Sequence, residues 1–163
     1  MRRAAALLAL AVLAALTGCG EPAAQPGPPP APDFDLPLLR GGRVSLDSLS
    51  GHIAVVDFWA TWCAPCVKQI PVLNAIEREF GDRVAVLGIA TDAAGAKVVD
   101  PFVRENGIAY RVPLGNMELA RRYGAPGLPT LAVISPDGRI ARLHVGNITY
   151  PHLAQTIEAL LAR

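Results

Sequence analysis

The sequence predicts an α/β fold, a central sheet of mixed strand directions with helices on both faces, and three observations carry that expectation. Two seven-residue runs, 53–59 and 84–90, are too apolar to alternate, as expected of strands covered on both faces. Between them Ile70, Leu73, Ile76 and Phe80 recur at helical spacing. Towards the C-terminus, 131–135 and 140–145 flank Pro136-Asp137-Gly138, a turn signal that joins antiparallel strands.

The elements follow in chain order. Arg2 and Arg3 precede an uninterrupted apolar stretch from Ala4 to Leu16, so residues 1–18 read as an export signal, too short to span a bilayer comfortably. Residues 21–32 hold six prolines and one glycine, which favours an extended spacer, and 19–32 are assigned as a tether. The remaining 33–163 have the size of one domain with one core. Phe34 to Leu39 and Arg43 to Leu46 flank Gly41-Gly42 as a short hairpin. The helix after residue 66 should be kinked at Pro71 and stop at Gly81. A helix is expected over 100–106 with Pro101 near its start, then a short strand over 110–114, a helix over 117–123 and an amphipathic helix over 152–161.

The chemistry is concentrated in Cys63-Ala64-Pro65-Cys66, placed between the first apolar run and the first helix. Two thiols separated by two residues can close a small disulfide. The free N–H groups of a helix start stabilise a thiolate on the first of them, making Cys63 the expected nucleophile. A purely structural bridge over so few residues would contribute only about 2 kcal/mol, against nearly 5 for a loop of about 100. A structural zinc site would need a second ligand pair, and His52, His144 and His152 are scattered; haem attachment would need His where Val67 stands. No metal and no cofactor is therefore expected. Asp57, six residues before Cys63 on an apolar strand, should be buried and its carboxyl raised by desolvation. Trp62 is expected in an exposed contact surface, Trp59 in the core, and His144 in a structural role.

Val56-Asp57-Phe58-Trp59-Ala60-Thr61-Trp62-Cys63-Ala64-Pro65-Cys66 resembles the active-site segment of thioredoxins, and Gly127-Leu128-Pro129-Thr130 resembles their cis-proline loop. The extra helix and strand between Thr91 and Leu114, with the export signal, is similar to the TlpA/ResA/DsbE group of envelope thioredoxins. The resemblance implies a thioredoxin fold with an N-terminal hairpin and an inserted helix and strand. It assigns attack on a disulfide to Cys63, resolution to Cys66 and shuttling of the resolving proton to Asp57. Trp62, Ala64, Pro65, Leu128 and a cis Pro129 would contact the partner. Gln69 departs from the group, in which many members carry a glutamate. Leu16-Thr17-Gly18-Cys19 resembles a bacterial lipobox, implying lipidation of Cys19, which leaves no odd thiol.

The formal charge of +1 becomes −1 when Arg2 and Arg3 leave with the signal, and no basic patch or phosphate-binding glycine loop points to nucleic acid. The partners expected are protein thiols and disulfides of the cell envelope, a membrane thiol relay as electron donor, and the membrane itself through the anchor. The domain would face the periplasm or cell exterior and reduce specific disulfides, of the kind met in cytochrome c or copper-site maturation. Two rivals are a thioredoxin-superfamily peroxidase, disfavoured by Ala60 where such enzymes carry Thr or Ser, and a copper-binding chaperone, which would need a third ligand.

Overall fold

A computed structural model describes residues 27–163; the expected signal, Cys19 and the tether up to residue 26 lie outside them. The hairpin forms from β1 (Asp35–Pro37) and β2 (Arg43–Ser45), antiparallel, with Gly41 and Gly42 at positive φ in its turn. The apolar runs are β3 (Ile53–Trp59) and β4 (Val84–Ala90), paired in parallel, and between them lie α1 (Ala64–Val67) and α2 (Ile70–Phe80). After α3 (Ala96–Glu105) and α4 (Met117–Arg122), the chain returns through the antiparallel strands β5 (Thr130–Ile134) and β6 (Ile140–Val145) to α5 (Tyr150–Leu161). The four-stranded order is β4-β3-β5-β6, so the mixed sheet is present and β3 lies inside it.

Strand periodicity divides the core into two layers. Ile53, Val55 and Trp59 face α2, α3 and α5, whereas Ala54, Val56 and Phe58 face α4 and the hairpin. Phe58 meets Tyr123 there with ring centroids 5.1 Å apart. Asp57 belongs to the first set by alternation, in the layer that also holds Cys63 and Cys66.

Three local expectations are corrected. Pro71 does not kink a continuous helix: it sits in the first turn of α2, where its missing N–H costs nothing, and the chain breaks instead at Lys68–Gln69. α3 starts at Ala96, directly after Gly95 at positive φ, leaving Pro101 inside the helix. Residues 110–114 form bridges rather than a continuous strand, Leu87 to Arg111 and Ala90 to Leu114 on one side and Leu38 to Pro113 on the other. Pro113 has no N–H with which to complete a ladder. The segment nonetheless links hairpin to sheet, with Gly88 N–H donating to Arg111 O and Leu39 N–H to Val112 O.

At the other edge, residues 28–31 lie along the β5–β6 turn. Ala31 N–H donates to Gly138 O, Ile140 N–H to Pro29 O and Arg139 to Pro28 O, each within 2.9 Å.

Gly115 is where the insertion rejoins the fold. A Cβ there would stand 2.5 Å from Ile89 Cγ2, while its N–H donates to Ala90 O. Gly115→Ala should therefore destabilise by about 1–3 kcal/mol through overpacking, read as a lower urea midpoint with an unchanged m-value.

Candidate active site

β3 ends at Trp59 and delivers the chain into the loop 60–62, which Asp92 holds from the end of β4. Its carboxylate accepts from Thr61 N–H at 3.1 Å and from Thr61 Oγ1 at 2.6 Å, and Thr91 N–H and Oγ1 both donate to Trp59 O. Cys63 is the N-cap of α1 and is disulfide-bonded to Cys66, with Cα atoms 5.3 Å apart. Pro65 occupies the first turn, where a missing N–H is harmless. In the disulfide Cys63 is 5% exposed and Cys66 3%, so both cysteines are buried. Trp62, at 69% exposure, stands clear of the surface and Trp59 is buried.

Leu128–Pro129 is a cis peptide. Thr130 Oγ1 donates to Gly127 O, and Gly146 N–H donates to Pro129 O. The loop after β6 thus touches the proline loop, and its next residues reach α1. Asn147 Nδ2 donates to Pro65 O at 2.9 Å, Ile148 N–H donates to Gln69 Oε1 at 3.0 Å, and Gln69 Nε2 donates to Ile148 O at 3.3 Å. Gln69 is fully buried, and its amide both accepts and donates there, which an ionised carboxylate could not do. His144 Nε2 lies 3.1 Å from Asn147 O, a local contact.

Asp57 is buried, with Oδ1 lacking any hydrogen-bond partner, and burial raises its carboxyl well above the usual range. Gly88 on β4 and Leu131 on β5 are its paired neighbours. Beside Gly88 stands Tyr110, whose hydroxyl is also raised, by burial first and then by the Asp57 charge. Among the described residues no group of three or more His, Cys, Asp or Glu could hold a metal ion, and no helix is long and apolar enough to cross a membrane.

Sequence reasoning brought together Asp57, Cys63, Cys66 and the Leu128–Pro129 loop. It missed Asp92, Asn147 and Tyr110. A polar residue two places past a strand end, Asp92 after β4 and Asn147 after β6, was the available signal.

A family model described as the AhpC/TSA family matches residues 29–143. The chain is 28% identical over 130 residues to the thioredoxin-like protein YneN of Bacillus subtilis, covering 78% of this chain and 76% of that one. It is 31% identical over 129 residues to the thiol-disulfide oxidoreductase ResA of Oceanobacillus iheyensis, covering 76% and 67%. Among solved structures, a candidate thiol:disulfide interchange protein DsbE from Chlorobium tepidum superposes with a TM-score of 0.76 at 30% identity, covering 82% of this chain and 96% of that one.

The raised Asp57 has a consequence for stability. The folded state holds its proton to a higher pH than the unfolded chain, whose Asp titrates near pH 4, so this residue's contribution is complete below about pH 4 and is lost as pH rises through the folded-state value. Oxidised Asp57→Asn should match the parent near pH 4 and become progressively more stable than it towards neutrality. Urea midpoints measured across that range check this, and a parallel pair of curves would contradict it.

Proposed function

The chain belongs to the AhpC/TSA family and is a thiol–disulfide oxidoreductase of the ResA and DsbE type, and from that premise we propose that it reduces specific protein disulfides in the cell envelope through Cys63 and Cys66. The observation that carries the reading is the Cys63–Cys66 disulfide at the head of α1, joined through Gly146 and Asn147 to a cis Leu128–Pro129 loop. At a helix start the thiolate of Cys63 is favoured, and each pKa unit of lowering corresponds to about 1.4 kcal/mol. An environment that holds a thiolate also favours the dithiol to that extent. The direction proposed, reduction of the partner, rests on Ala64-Pro65, closer to the Gly-Pro of reducing thioredoxins near about −270 mV than to strong oxidants near about −120 mV.

In the cycle, the Cys63 thiolate attacks one sulfur of the partner disulfide; the S–S bond breaks and the partner's other sulfur leaves with the electron pair. Cys66 then resolves the mixed disulfide. Its thiol gives a proton to the Asp57 carboxylate, its sulfur bonds Cys63 Sγ, and the remaining partner sulfur departs as thiolate. A dithiol donor, proposed to be a membrane thiol relay, returns two electrons and two protons. The partner segment lies extended across Trp62, Ala64-Pro65 and Leu128-Pro129. Among the described residues neither the N–H nor the C=O of Leu128 has a hydrogen-bond partner, which supports pairing with a partner backbone. The anchor proposed is lipid on Cys19 after removal of 1–18, with 19–32 as the tether to the 33–163 domain; apocytochrome c or copper-site cysteines are the substrates in view.

Cys66→Ala should accumulate a mixed disulfide between Cys63 and its partner, identified by non-reducing electrophoresis and mass spectrometry. An envelope protein with a cysteine pair is the expected catch, and a variant that traps nothing from cells while the parent turns over would contradict the reading. Cys19→Ala should move the protein to the soluble fraction with an unchanged equilibrium against glutathione; retention on the membrane would remove the anchor.

A further inference from the structure

The parallel register sets Gly88 beside Asp57 on the adjacent strand, and paired residues point to the same face of a sheet. Glycine leaves a gap on that face. A Cβ at Gly88 would lie 2.5 Å from Cε2 of Tyr110 and 3.0 Å from Nε1 of Trp59, so the space next to the carboxyl is already taken by these two rings. Neither ring is there by chance of rotamer alone. Gly88 N–H donates to Arg111 O at 2.9 Å, which fixes the backbone next to Tyr110, and Phe102 of α3 packs on Trp59 with centroids 5.2 Å apart. Tyr110 is itself only 5% exposed. The space over Gly88 is thus filled by Tyr110 from the insertion between β4 and α4 and by Trp59 of β3, which Phe102 of the insertion backs.

We propose that Tyr110 is a positioning residue for the redox reaction: its ring, seated against Gly88, closes the β4 side of Asp57 to water and thereby sets the pH range in which this acid can take the proton of Cys66. The proposal rests on the reading that Asp57 receives that proton.

The surroundings of Asp57 leave few other candidates for this role. β4 offers Gly88 and β5 offers Leu131. The helices packed on this face, α2, α3 and α5, present Leu73, Ile76, Val99, Val103, Leu153 and Ile157 to the sheet; the charged side chain that reaches it is Glu77 of α2, partly buried against the Val86 backbone of β4 and facing Arg111 rather than Asp57. The titratable groups in or beside the same layer are the Cys63–Cys66 pair, Tyr110, the partly buried Tyr150 and Glu77, and of these Tyr110 is the one on which the Asp57 charge acts. With no cation opposite the carboxyl, its ionisation depends on how much water reaches it, and the ring controls that access. Burial is the dominant influence on Asp57 and the Asp57 charge is felt in turn at Tyr110, in keeping with this contact.

The test is to titrate the Asp57 carboxyl by 13C NMR in the oxidised full-length chain, and to measure the pH profile of mixed-disulfide resolution by stopped flow. Tyr110→Ala should lower both midpoints by about one pH unit or more, a tenfold change in the ionised fraction below the midpoint. Tyr110→Phe keeps the ring and should leave both within about 0.3 unit. A Tyr110→Ala chain that folds with an unmoved midpoint overturns the proposal, as does a Tyr110→Phe shift as large as that of Ala. Should Tyr110→Ala not fold, Tyr110→Leu must give a smaller shift in the same direction, and its absence is equally decisive. Asp57→Asn tests the underlying reading separately: resolution as fast as the parent's would end the proton-acceptor role, whereas the NMR midpoint still reports on the ring.

Discussion

β3 is hydrogen-bonded along both edges and covered on both faces, and each of its seven residues is buried. A strand held in this way can place an ionisable side chain out of water without help from a charge partner. It also fixes where the chain must emerge: the loop beyond Trp59 has one direction available, and Asp92 and Thr91 fasten it from β4. The disulfide at the start of α1 and the acid beneath it are therefore two products of one packing arrangement, separated by six residues of chain and by one layer of the fold. A substitution that loosened β3 would be felt at both.

The second constraint is the loop 146–148. It ties Pro129 O, Pro65 O and Gln69 into one set of hydrogen bonds, so that the cis-proline loop and α1 keep their spacing although they lie far apart in the chain. Gln69 has a positive function in this arrangement. Its amide serves Ile148 in both directions, and a carboxylate could only accept.

Much of this was legible in sequence because its signals are local. Unbroken apolar runs gave β3 and β4, helical spacing gave α2, and the Pro-Asp-Gly turn gave the β5–β6 pair; the two motifs around Cys63 and Pro129 completed the thioredoxin fold. What escaped notice depends on contacts across the chain. Gln69 and Ile148 are 79 residues apart, and nothing in the neighbourhood of either announces the other. In sequence, Gln69 therefore shows only as the absence of an acid. The start of α3 was misplaced because Pro101 suggested a first turn, while Gly95 and the helix-forming Ala96 and Lys97 allowed an earlier one. Tyr110 carries no signal by itself: it is one aromatic in a short apolar segment, and its neighbour Asp57 is known only once β3 and β4 are in register. For the same reason Pro113 could be seen but not its effect on the bridges around it.

The seating of residues 28–31 against the β5–β6 turn gives the molecule a mechanical polarity. β6 runs from that turn at Ile140 to Val145, which pairs with Thr130 beside the cis-proline loop, a length of about 17 Å at the usual rise per residue. Any load arriving through the N-terminal residues enters at one end of the sheet and is borne by the bonds of Pro28, Pro29 and Ala31. The disulfide sits at the other end, outside that load path. The described chain accordingly enters the sheet at the end away from the disulfide.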